Sequence, residues 1–393
     1  MMSPHSLRRL AVIPNDPLDV YLDAGYGAGW LKAYLNPARY FDEVYSISPY
    51  ERVDGSLVGV APVPTQADRI HQRIRQLDVQ VVRAYGGSHP CALACSNKVA
   101  GVPVMVSVHD TSPDLLHPSI VDADTVLCVS EAVGRLVASK YPHPERIWIL
   151  PNRVDFSVMR PRTVAETAWL REKYPFKYPI LHVGRRSRQK NLDNLIRAVS
   201  LLGPNYCLVA SGKGRLDEYA ALANSLGVRN RCFFLDAIAN EDLPLYFSWA
   251  ACMCNPSRWE GMSIVLIEAL AAEATLVVSN IPEIAESVHH GENGLLVDDY
   301  ENPDAIAAAI RLACTDGAVR QTLKHNARRS VEQFERSKVD ALEASYYQRT
   351  LELQAAGVFD VPLTRRFHRS VRRGANRVLS ERVKKTLRPL LGG

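Results

Sequence analysis

The chain has 393 residues, of which 47% are hydrophobic and 23% charged, as in an ordinary globular protein long enough for two domains. These proportions exclude a disordered chain, and no apolar run reaches the length of a membrane span. The net charge is +5, but residues 361–393 alone carry +9, so a mildly acidic body precedes a strongly basic tail.

The eight cysteines lie mostly inside apolar runs, where a free cysteine behaves as a small hydrophobic residue. Cys252 and Cys254 have no second Cys/His pair nearby, so we expect no metal site. This cysteine usage fits a reducing compartment. The apolar run after Arg9 is too short for a signal peptide, so we expect a cytoplasmic protein.

The first 160 residues alternate short apolar strands with helical segments. Strands are predicted at 10–13, 43–47, 79–85, 104–108, 125–129 and 146–150. Helices are predicted at 30–35, 68–76, 90–100 and from residue 131 onward. Because parallel strands need a crossover connection, this alternation predicts a parallel sheet covered by helices.

The same alternation restarts after a polar stretch at 155–178. Strands are predicted at 179–183, 206–210, 232–235, 250–254, 275–279 and 294–297. Helices are predicted at 192–202, 216–226, 243–248, 263–272, 302–313 and 318–334. Two such units joined near residue 160 would form a cleft, the usual position of a ligand site.

We divide the chain into four segments. The first is an N-terminal Rossmann-like domain at 1–160, and the second is a Rossmann-like domain at 161–335. A helix at 336–360 is expected to return to the first domain. The tail at 361–393 repeats apolar residues at helical spacing among arginines.

The loop after the strand at 179–183 holds two candidate anion ligands. Arg185 and Lys190 are five residues apart between a predicted strand and a predicted helix. A planar guanidinium and an ammonium suit a diphosphate well. Solvated loop cations are the alternative.

Glycines at 25, 27 and 29 follow the first predicted strand and could let backbone N–H groups approach a phosphate. Their spacing at every second position is not that of a dinucleotide site, so a nicotinamide-dependent oxidoreductase is disfavoured. His109 follows another strand and could be a base, a hydroxyl ligand or a structural residue.

Residues 256–270 join a predicted strand to a predicted helix through a glycine turn. Such a joint presents unpaired N–H groups and the positive end of a helix dipole. Glu260 and Glu268 bracket it. A sugar or phosphate site, a tight turn with solvated carboxylates, and the paired carboxylates of glycoside hydrolysis are all compatible with this stretch alone.

Several short motifs occur in a fixed order along the chain. They are Val129-Ser130-Glu131, Leu150-Pro151-Asn152-Arg153-Val154-Asp155, Val183-Gly184-Arg185, Lys190-Asn191-Leu192-Asp193, Ser211-Gly212-Lys213-Gly214, Pro256-Ser257-Arg258-Trp259-Glu260-Gly261, Glu268-Ala269 and Gly291-Glu292-Asn293-Gly294-Leu295-Leu296-Val297. This order resembles the retaining glycosyltransferases of family four over roughly residues 10–350. The resemblance is most specific in the second half, where two glutamates separated by seven residues match the hallmark of the family.

The resemblance implies an α/β GT-B fold, in which two Rossmann-like parallel-sheet domains face a cleft. The acceptor would bind the first domain and a nucleotide-sugar donor the second. The implied catalytic residues are His109, Arg185, Lys190 and Glu260. The implied donor-binding residues are Gly25, Gly27, Gly29, Gly184, Arg185, Lys190, Gly212, Gly214, Glu260, Gly261, Met262, Ser263, Ile264 and Glu268.

The resemblance also implies a role for each of these groups. Arg185 and Lys190 would neutralise the donor diphosphate, and Glu268 would hold the ribose. Glu260 and the backbone at 261–263 would hold the transferred sugar, which His109 would touch from the first domain. The glycines at 25–29 would approach the phosphates or the acceptor.

Three positions depart from the family pattern. Asn191 and Arg153 each stand where the family usually has glycine. Asp236 also replaces a frequent glycine, and it lies near the expected base site. A UDP- or GDP-linked donor is expected, and the choice between them stays open.

The implied reaction is a metal-independent, cofactor-free transfer of a sugar to a glycan, lipid-linked or small-molecule acceptor. Alternatives are a sugar-nucleotide epimerase or phosphorylase on the same fold, and a non-catalytic sugar-nucleotide-binding partner of a polysaccharide-assembly complex. The epimerase should turn over the donor without an acceptor.

The basic tail suits an anionic membrane surface, which would make the protein peripheral on the inner face of the plasma membrane. A helix packed on the body and a disordered tail are the alternatives. Nucleic acid is not an expected partner because no aromatic residues interleave the cations. The sequence predicts no oligomeric state.

Overall fold

The computed structural model describes residues 7–23, 28–52 and 59–359. Its N-terminal part contains strands β1 (Arg9–Ile13), β2 (Glu43–Ser48), β3 (Ala61–Pro64), β4 (Val81–Tyr85), β5 (Val104–Val108), β6 (Thr125–Cys128) and β7 (Ile147–Ile149). The helices of this part are α1 (Leu18–Asp23), α2 (Ala28–Leu35), α3 (Ile70–Gln76), α4 (His89–Ser96) and α5 (Glu131–Ala138).

These strands form one sheet of 7 parallel strands in the order β3-β2-β1-β4-β5-β6-β7. Successive side chains of β1 enter two different apolar layers, with Ala11 and Ile13 in one and Leu10 and Val12 in the other. A parallel sheet buried on both faces has this pattern.

The second part repeats the architecture. Its strands are β8 (Tyr178–Val183), β9 (Tyr206–Ser211), β10 (Cys232–Leu235), β11 (Cys252–Asn255), β12 (Leu276–Ser279) and β13 (Leu295–Val297). They form a sheet of 6 parallel strands in the order β10-β9-β8-β11-β12-β13. Its helices are α6 (Ala168–Lys173), α7 (Leu192–Ser200), α8 (Asp217–Ser225), α9 (Leu243–Trp249), α10 (Ile264–Ala271), α11 (Pro282–Ala285), α12 (Pro303–Thr315) and α13 (Gly317–Ala327).

The last described helix, α14 (Arg336–Ala355), packs against the first domain. Its residues Val339 and Tyr347 belong to the same buried cluster as Leu10 and Val12 of β1. The chain therefore crosses from the second domain back to the first. The expected GT-B architecture, two Rossmann-like parallel-sheet domains facing a cleft, is confirmed.

Arg83, Arg153 and Glu343 form a buried ionic cluster that anchors α14. Arg83 Nη1 lies 3.0 Å from Glu343 Oε1. Arg153, in the link between the domains, donates to the other carboxylate oxygen of Glu343 and to Asp340. Glu343 is fully buried and Arg83 nearly so. The cluster thus joins a sheet strand, the interdomain link and the returning helix.

Several elements differ from the sequence predictions. Strand β3 was not predicted because it contains Pro62 and Pro64, which a strand tolerates at the edge of a sheet. Helix α6 lies inside the polar stretch at 155–178, where no helix is predicted. The helix predicted at 318–334 ends at Ala327 and continues as a 3₁₀ segment, Arg329–Phe334.

The turn between these two segments is held from outside the helix. Arg328 donates to the carbonyl oxygens of Met159 and Phe156, at 2.8 and 3.0 Å. Helix α4 also ends earlier than predicted. The Asn97 side chain donates to the Ala67 and Leu93 carbonyls instead of continuing the helix.

Three parts of the sequence prediction cannot be placed on this architecture in full. Gly25, Gly27 and the tail at 361–393 lie outside the described residues, whereas Gly29 lies in α2 rather than in a loop. Within the described part of the chain, no helix is both long and apolar enough to cross a membrane.

Candidate active site

Lys190 and Glu260 meet where two loops of the second domain converge. Lys190 Nζ lies 2.5 Å from Glu260 Oε1, and the two side chains are only 11% and 6% exposed. Lys190 ends a short 3₁₀ turn after β8, and Glu260 lies in the loop between β11 and α10. Each charge satisfies the other in a site that is largely removed from water.

Glycines bring the ends of β8 and β9 unusually close. A Cβ atom at Gly212 would lie 1.9 Å from the Gly184 carbonyl oxygen, so only glycine fits there. Gly214 has a φ of +122°, and its Cβ would lie 2.8 Å from the Arg186 carbonyl oxygen. A Cβ atom at Gly184 would lie 3.3 Å from the aliphatic part of the Lys190 side chain. The glycines therefore allow the loops after β8 and β9 to pack closely next to Lys190.

Arg185 lies exposed in the same loop. Its Nη2 donates to Gln189 Oε1 at 3.3 Å, and Gln189 Nε2 in turn donates to the Trp259 carbonyl at 2.9 Å. Gln189 thus couples the cationic loop to the residue before Glu260. Among the described residues, no carboxylate lies within ion-pair distance of Arg185, so its charge is available to an anionic ligand.

The backbone geometry of Asn191 explains why asparagine can stand where the family usually has glycine. It adopts left-handed backbone geometry with a φ of 54°, which asparagine tolerates better than most residues other than glycine. Its buried side chain also donates to the Pro256 and Tyr300 carbonyls, at 2.9 and 2.7 Å. Asparagine therefore keeps the backbone turn of a glycine and adds one bond to the Glu260 loop and one to the loop after β13.

Helix α10 begins directly after the glycine turn. Ser263 is its N-cap residue, and no side chain caps the helix end there. The unpaired N–H groups of Ser263 and Ile264 therefore point out of the helix start. An anion next to this end would be favoured by the helix dipole.

Glu268 lies on the same helix and is only 7% exposed. Its Oε1 accepts a hydrogen bond from Asn240 Nδ2 at 2.8 Å. Burial raises the pKa of Glu268 to about 7, and the bond from Asn240 opposes this shift. The carboxyl group therefore ionises at a higher pH than an exposed glutamate does.

The first domain clamps the backbone of the Glu260 turn. Thr111 Oγ1 donates to the Glu260 carbonyl at 3.1 Å, and Ser130 Oγ donates to the Gly261 carbonyl at 2.9 Å. Asn152 Nδ2 donates to the Met262 carbonyl at 3.1 Å. Three strand ends of one domain thus fix consecutive residues of the other.

The backbone of His109 adds the closest contact of this clamp. A Cβ atom at Gly261 would lie 1.9 Å from the His109 carbonyl oxygen. Met262 packs against buried clusters of both domains. The cleft is therefore closed at this point, and Gly261 is the residue that permits the close approach.

His109 also borders a small cavity of about 20 Å³ in the first domain, together with Arg83, Tyr85, Ser107 and Arg153. The residue as a whole remains exposed. The surrounding protein and the nearby Arg83 lower the pKa of His109 below its usual value. The imidazole is therefore neutral at neutral pH.

The structure brings Lys190, Glu260 and Gly261 together with the His109 backbone, and it places Glu268 farther along α10. Sequence reasoning missed Thr111, Gln189 and Asn240, whose residue types give no signal on their own. Ser130 and Asn152 could be found, because both are polar residues that end a predicted strand.

Two facing Rossmann-like domains with this site between them define the GT-B class. Two family profiles match the chain, glycosyltransferase family 4 over residues 33–158 and glycosyl transferases group 1 over residues 170–330. The chain therefore belongs to the group 1 glycosyltransferases of the family-four type.

Individual relatives support the family. A glycosyltransferase of Methanocaldococcus jannaschii is 35% identical over 39% of this chain and 40% of its own length. A GDP-mannose-dependent phosphatidylinositol monomannoside mannosyltransferase of Mycobacterium tuberculosis is 26% identical over 69% of this chain and 76% of its own length. The chain thus spans well under half of the first relative and about three quarters of the second.

Solved structures share the fold. Anabaena HepE in complex with UDP superposes with a TM-score of 0.74 at 17% identity, covering 87% of this chain and 100% of that protein. WaaG, a glycosyltransferase involved in lipopolysaccharide biosynthesis, superposes with a TM-score of 0.64 at 15% identity, covering 86% of this chain and 99% of that protein.

Proposed function

We propose that this chain is a retaining glycosyltransferase that uses a nucleotide-diphosphate sugar and needs no metal ion or cofactor. The observation that supports this most directly is the pairing of Lys190 with Glu260 beside Gly261, where the two domains close. A cation for the diphosphate and a carboxylate for sugar hydroxyls then stand side by side in the cleft.

The donor would lie along the C-terminal edge of the second sheet. Arg185, Lys190 and the start of α10 would stabilise the negative charge that develops on the leaving diphosphate. Two fixed cations can supply the charge that a divalent ion supplies in other transferases, which is the reason for proposing a metal-free reaction. Glu268 would accept hydrogen bonds from the ribose.

The transfer step needs no nucleophile from the protein. The bond between the anomeric carbon and the β-phosphate oxygen breaks, while the acceptor oxygen forms a new bond to that carbon on the same face. The acceptor proton passes to the departing phosphate oxygen. Glu260 and the backbone at 261–263 would hold the sugar, and the closed contact at Gly261 would exclude water.

The acceptor would be a glycan, a lipid-linked molecule or a small molecule that carries a free hydroxyl. The Mycobacterium tuberculosis relative is named for a phosphatidylinositol-linked acceptor, and an Escherichia coli relative is named an O-antigen chain mannosyltransferase. These names support a glycan or lipid-linked acceptor.

A panel of UDP-, GDP-, ADP- and dTDP-linked sugars tests the proposal by thermal shift. At 100 times its dissociation constant, the matching donor should add about 2.7 kcal/mol to the free energy of unfolding. Transfer to an acceptor should continue in excess EDTA, and NMR should show the anomeric configuration of the donor in the product. Turnover of the donor without an acceptor would favour an epimerase instead.

A further inference from the structure

The loops that follow β9 and β10 present one cation and one carboxylate at neighbouring strand ends. Leu235 pairs with Ser211 in the parallel ladder, so Asp236 begins its loop beside Gly212, and Lys213 is the next residue. Lys213 and Asp236 are both exposed. Neither side chain has a hydrogen bond or an ion pair with another described residue. Both charges are therefore free to contact a ligand.

Arg186 and Ser211 fix the spacing of these two loops. The Arg186 guanidinium donates to the Leu235 carbonyl at 2.5 Å and to the Gly214 carbonyl at 3.2 Å, so it ties one loop to the other. Its backbone N–H donates to the Lys213 carbonyl at 2.8 Å. Ser211 Oγ donates to the Asp236 carbonyl at 2.9 Å. The backbones that carry the two charges are thus held in place before any ligand binds.

Asn240 connects the loop that carries Asp236 to the proposed ribose ligand, Glu268, and so relates the charge pair to the donor. Asn240 lies in the loop that begins at Asp236, and its side chain donates to Glu268 Oε1 at 2.8 Å. This step rests on the proposed function, in which Glu268 holds the ribose. The base attached to that ribose would then lie against the loop at 236–240 and next to the loop at 212–214.

We propose that Lys213 and Asp236 select guanine, so that the donor is a GDP-linked sugar. The Watson–Crick edge of guanine presents the acceptor O6 followed by the donors N1–H and N2–H. An ammonium group donates to O6, and a carboxylate accepts both N–H groups through its two oxygens. One lysine and one aspartate on adjacent strand ends therefore complement the whole edge.

Other bases lack this complementarity. Uracil and thymine present a single N–H between two carbonyl groups, so a carboxylate that accepts this N–H is repelled by the flanking oxygens. Adenine presents an acceptor nitrogen where guanine presents N1–H, and a carboxylate cannot donate to it. The selection against these bases thus arises from repulsion as well as from the lost hydrogen bonds.

Calorimetric titration of GDP, UDP and inosine diphosphate into the full-length protein tests this assignment. The wild type should bind GDP about tenfold or more tightly than UDP. Inosine diphosphate lacks the N2 amino group and should bind more weakly than GDP, which isolates one of the two bonds to Asp236. In Asp236→Asn the preference for GDP over UDP and over inosine diphosphate should disappear, while UDP affinity is unchanged or higher.

Asp299→Asn is the matched control. Asp299 is an exposed aspartate that follows β13, at the opposite edge of the same sheet, so the variant loses the same charge away from the base. It should bind all three nucleotides like the wild type. UDP binding at least as tight as GDP in the wild type, or an equal loss for GDP and UDP in Asp236→Asn, would overturn the guanine assignment alone. Binding of none of the three nucleotides would overturn the donor site as well.

Discussion

Lys190 Nζ donates a hydrogen bond to Glu260 Oε1 at 2.5 Å, although the proposed reaction assigns the two residues to different parts of the donor. The ammonium group of Lys190 would contact the diphosphate, and the carboxylate of Glu260 would accept hydrogen bonds from the sugar hydroxyls. Without the donor, each group is the other's partner in a site only 6–11% exposed. Donor binding therefore exchanges one ion pair for two sets of ligand contacts, so neither charge is left unpaired in either state.

The first prediction concerns the loss of Lys190. Lys190→Ala removes the charge opposite the leaving diphosphate and should lower the transfer rate about tenfold to a hundredfold, which corresponds to roughly 1.4–2.8 kcal/mol. Steady-state release of the nucleoside diphosphate measures this. Lys140→Ala is the control, because Lys140 is exposed on the first domain and outside the cleft. Wild-type turnover in both Lys190→Ala and Arg185→Ala would rule out the proposed diphosphate site.

The second prediction concerns the pH dependence of donor binding. The pKa of Glu268 is raised to about 7, so ionisation of the carboxyl group in the folded protein occurs near neutral pH. The ionised form accepts stronger hydrogen bonds from ribose hydroxyls. Donor affinity should therefore rise between about pH 6 and pH 8, and Glu268→Gln should bind more weakly with a flat profile. Titrations at several pH values measure both. An unchanged slope in the variant would assign the dependence to another group.

Glu268 should affect stability in the opposite direction: its contribution to the free energy of unfolding should fall as pH rises. A carboxyl group whose pKa is higher in the folded state stabilises the fold at low pH, and this contribution is lost as pH rises through the folded pKa. Glu268→Gln should thus be more stable than the wild type at pH 8, by up to about 3 kcal/mol, and show a smaller difference at pH 5. Urea unfolding at the two pH values measures this gain, which should accompany the weaker donor binding.

The fold could be predicted largely from sequence because both sheets alternate with helices at regular intervals. The cationic loop and the glutamate pair could also be predicted, since they flank predicted strand ends. Strand β3 could not, because its two prolines suit only a sheet edge and the sequence does not show where the edge lies. The bond between Asn240 and Glu268 could not be predicted either, because 28 residues separate them and only the folded sheet brings them together.

Arg153 shows a further limit of the sequence. The sequence identifies it only as a residue that stands where the family usually has glycine, and does not show what it contacts. The structure instead turns it toward Asp340 and Glu343, inside the first domain. Its partners lie almost 200 residues later on α14, and a contact of that range is invisible without the tertiary structure.

The third prediction concerns domain closure. Any side chain at Gly261 must displace the His109 carbonyl, because a Cβ atom would lie 1.9 Å from that oxygen. Gly261→Ala should therefore hold the domains apart and lower the transfer rate by about a hundredfold or more, roughly 2.8 kcal/mol. Small-angle scattering should show a larger radius of gyration. Gly203→Ala is the control, since nothing lies within 4 Å of its Cβ position. Normal turnover in Gly261→Ala would show that this contact is not needed for catalysis.

The fourth prediction concerns the buried cluster that anchors α14. Burial alone would raise the pKa of Glu343, but Arg83 and Arg153 hold it below its usual range. A lowered pKa means that Glu343 stabilises the fold above the pKa of an unfolded glutamate, and that this contribution is lost on acidification. Glu343→Gln leaves two buried guanidiniums without their shared carboxylate and should cost about 3–5 kcal/mol at neutral pH.

Urea unfolding measures this loss, and Glu332→Gln, which changes an exposed glutamate, should be close to neutral. Because the carboxylate of Glu343 is already protonated in strong acid, the difference between Glu343→Gln and the wild type should shrink as pH falls below about 4. A loss that is independent of pH would indicate that packing of the side chain on α14, rather than its charge, fixes the helix to the first domain.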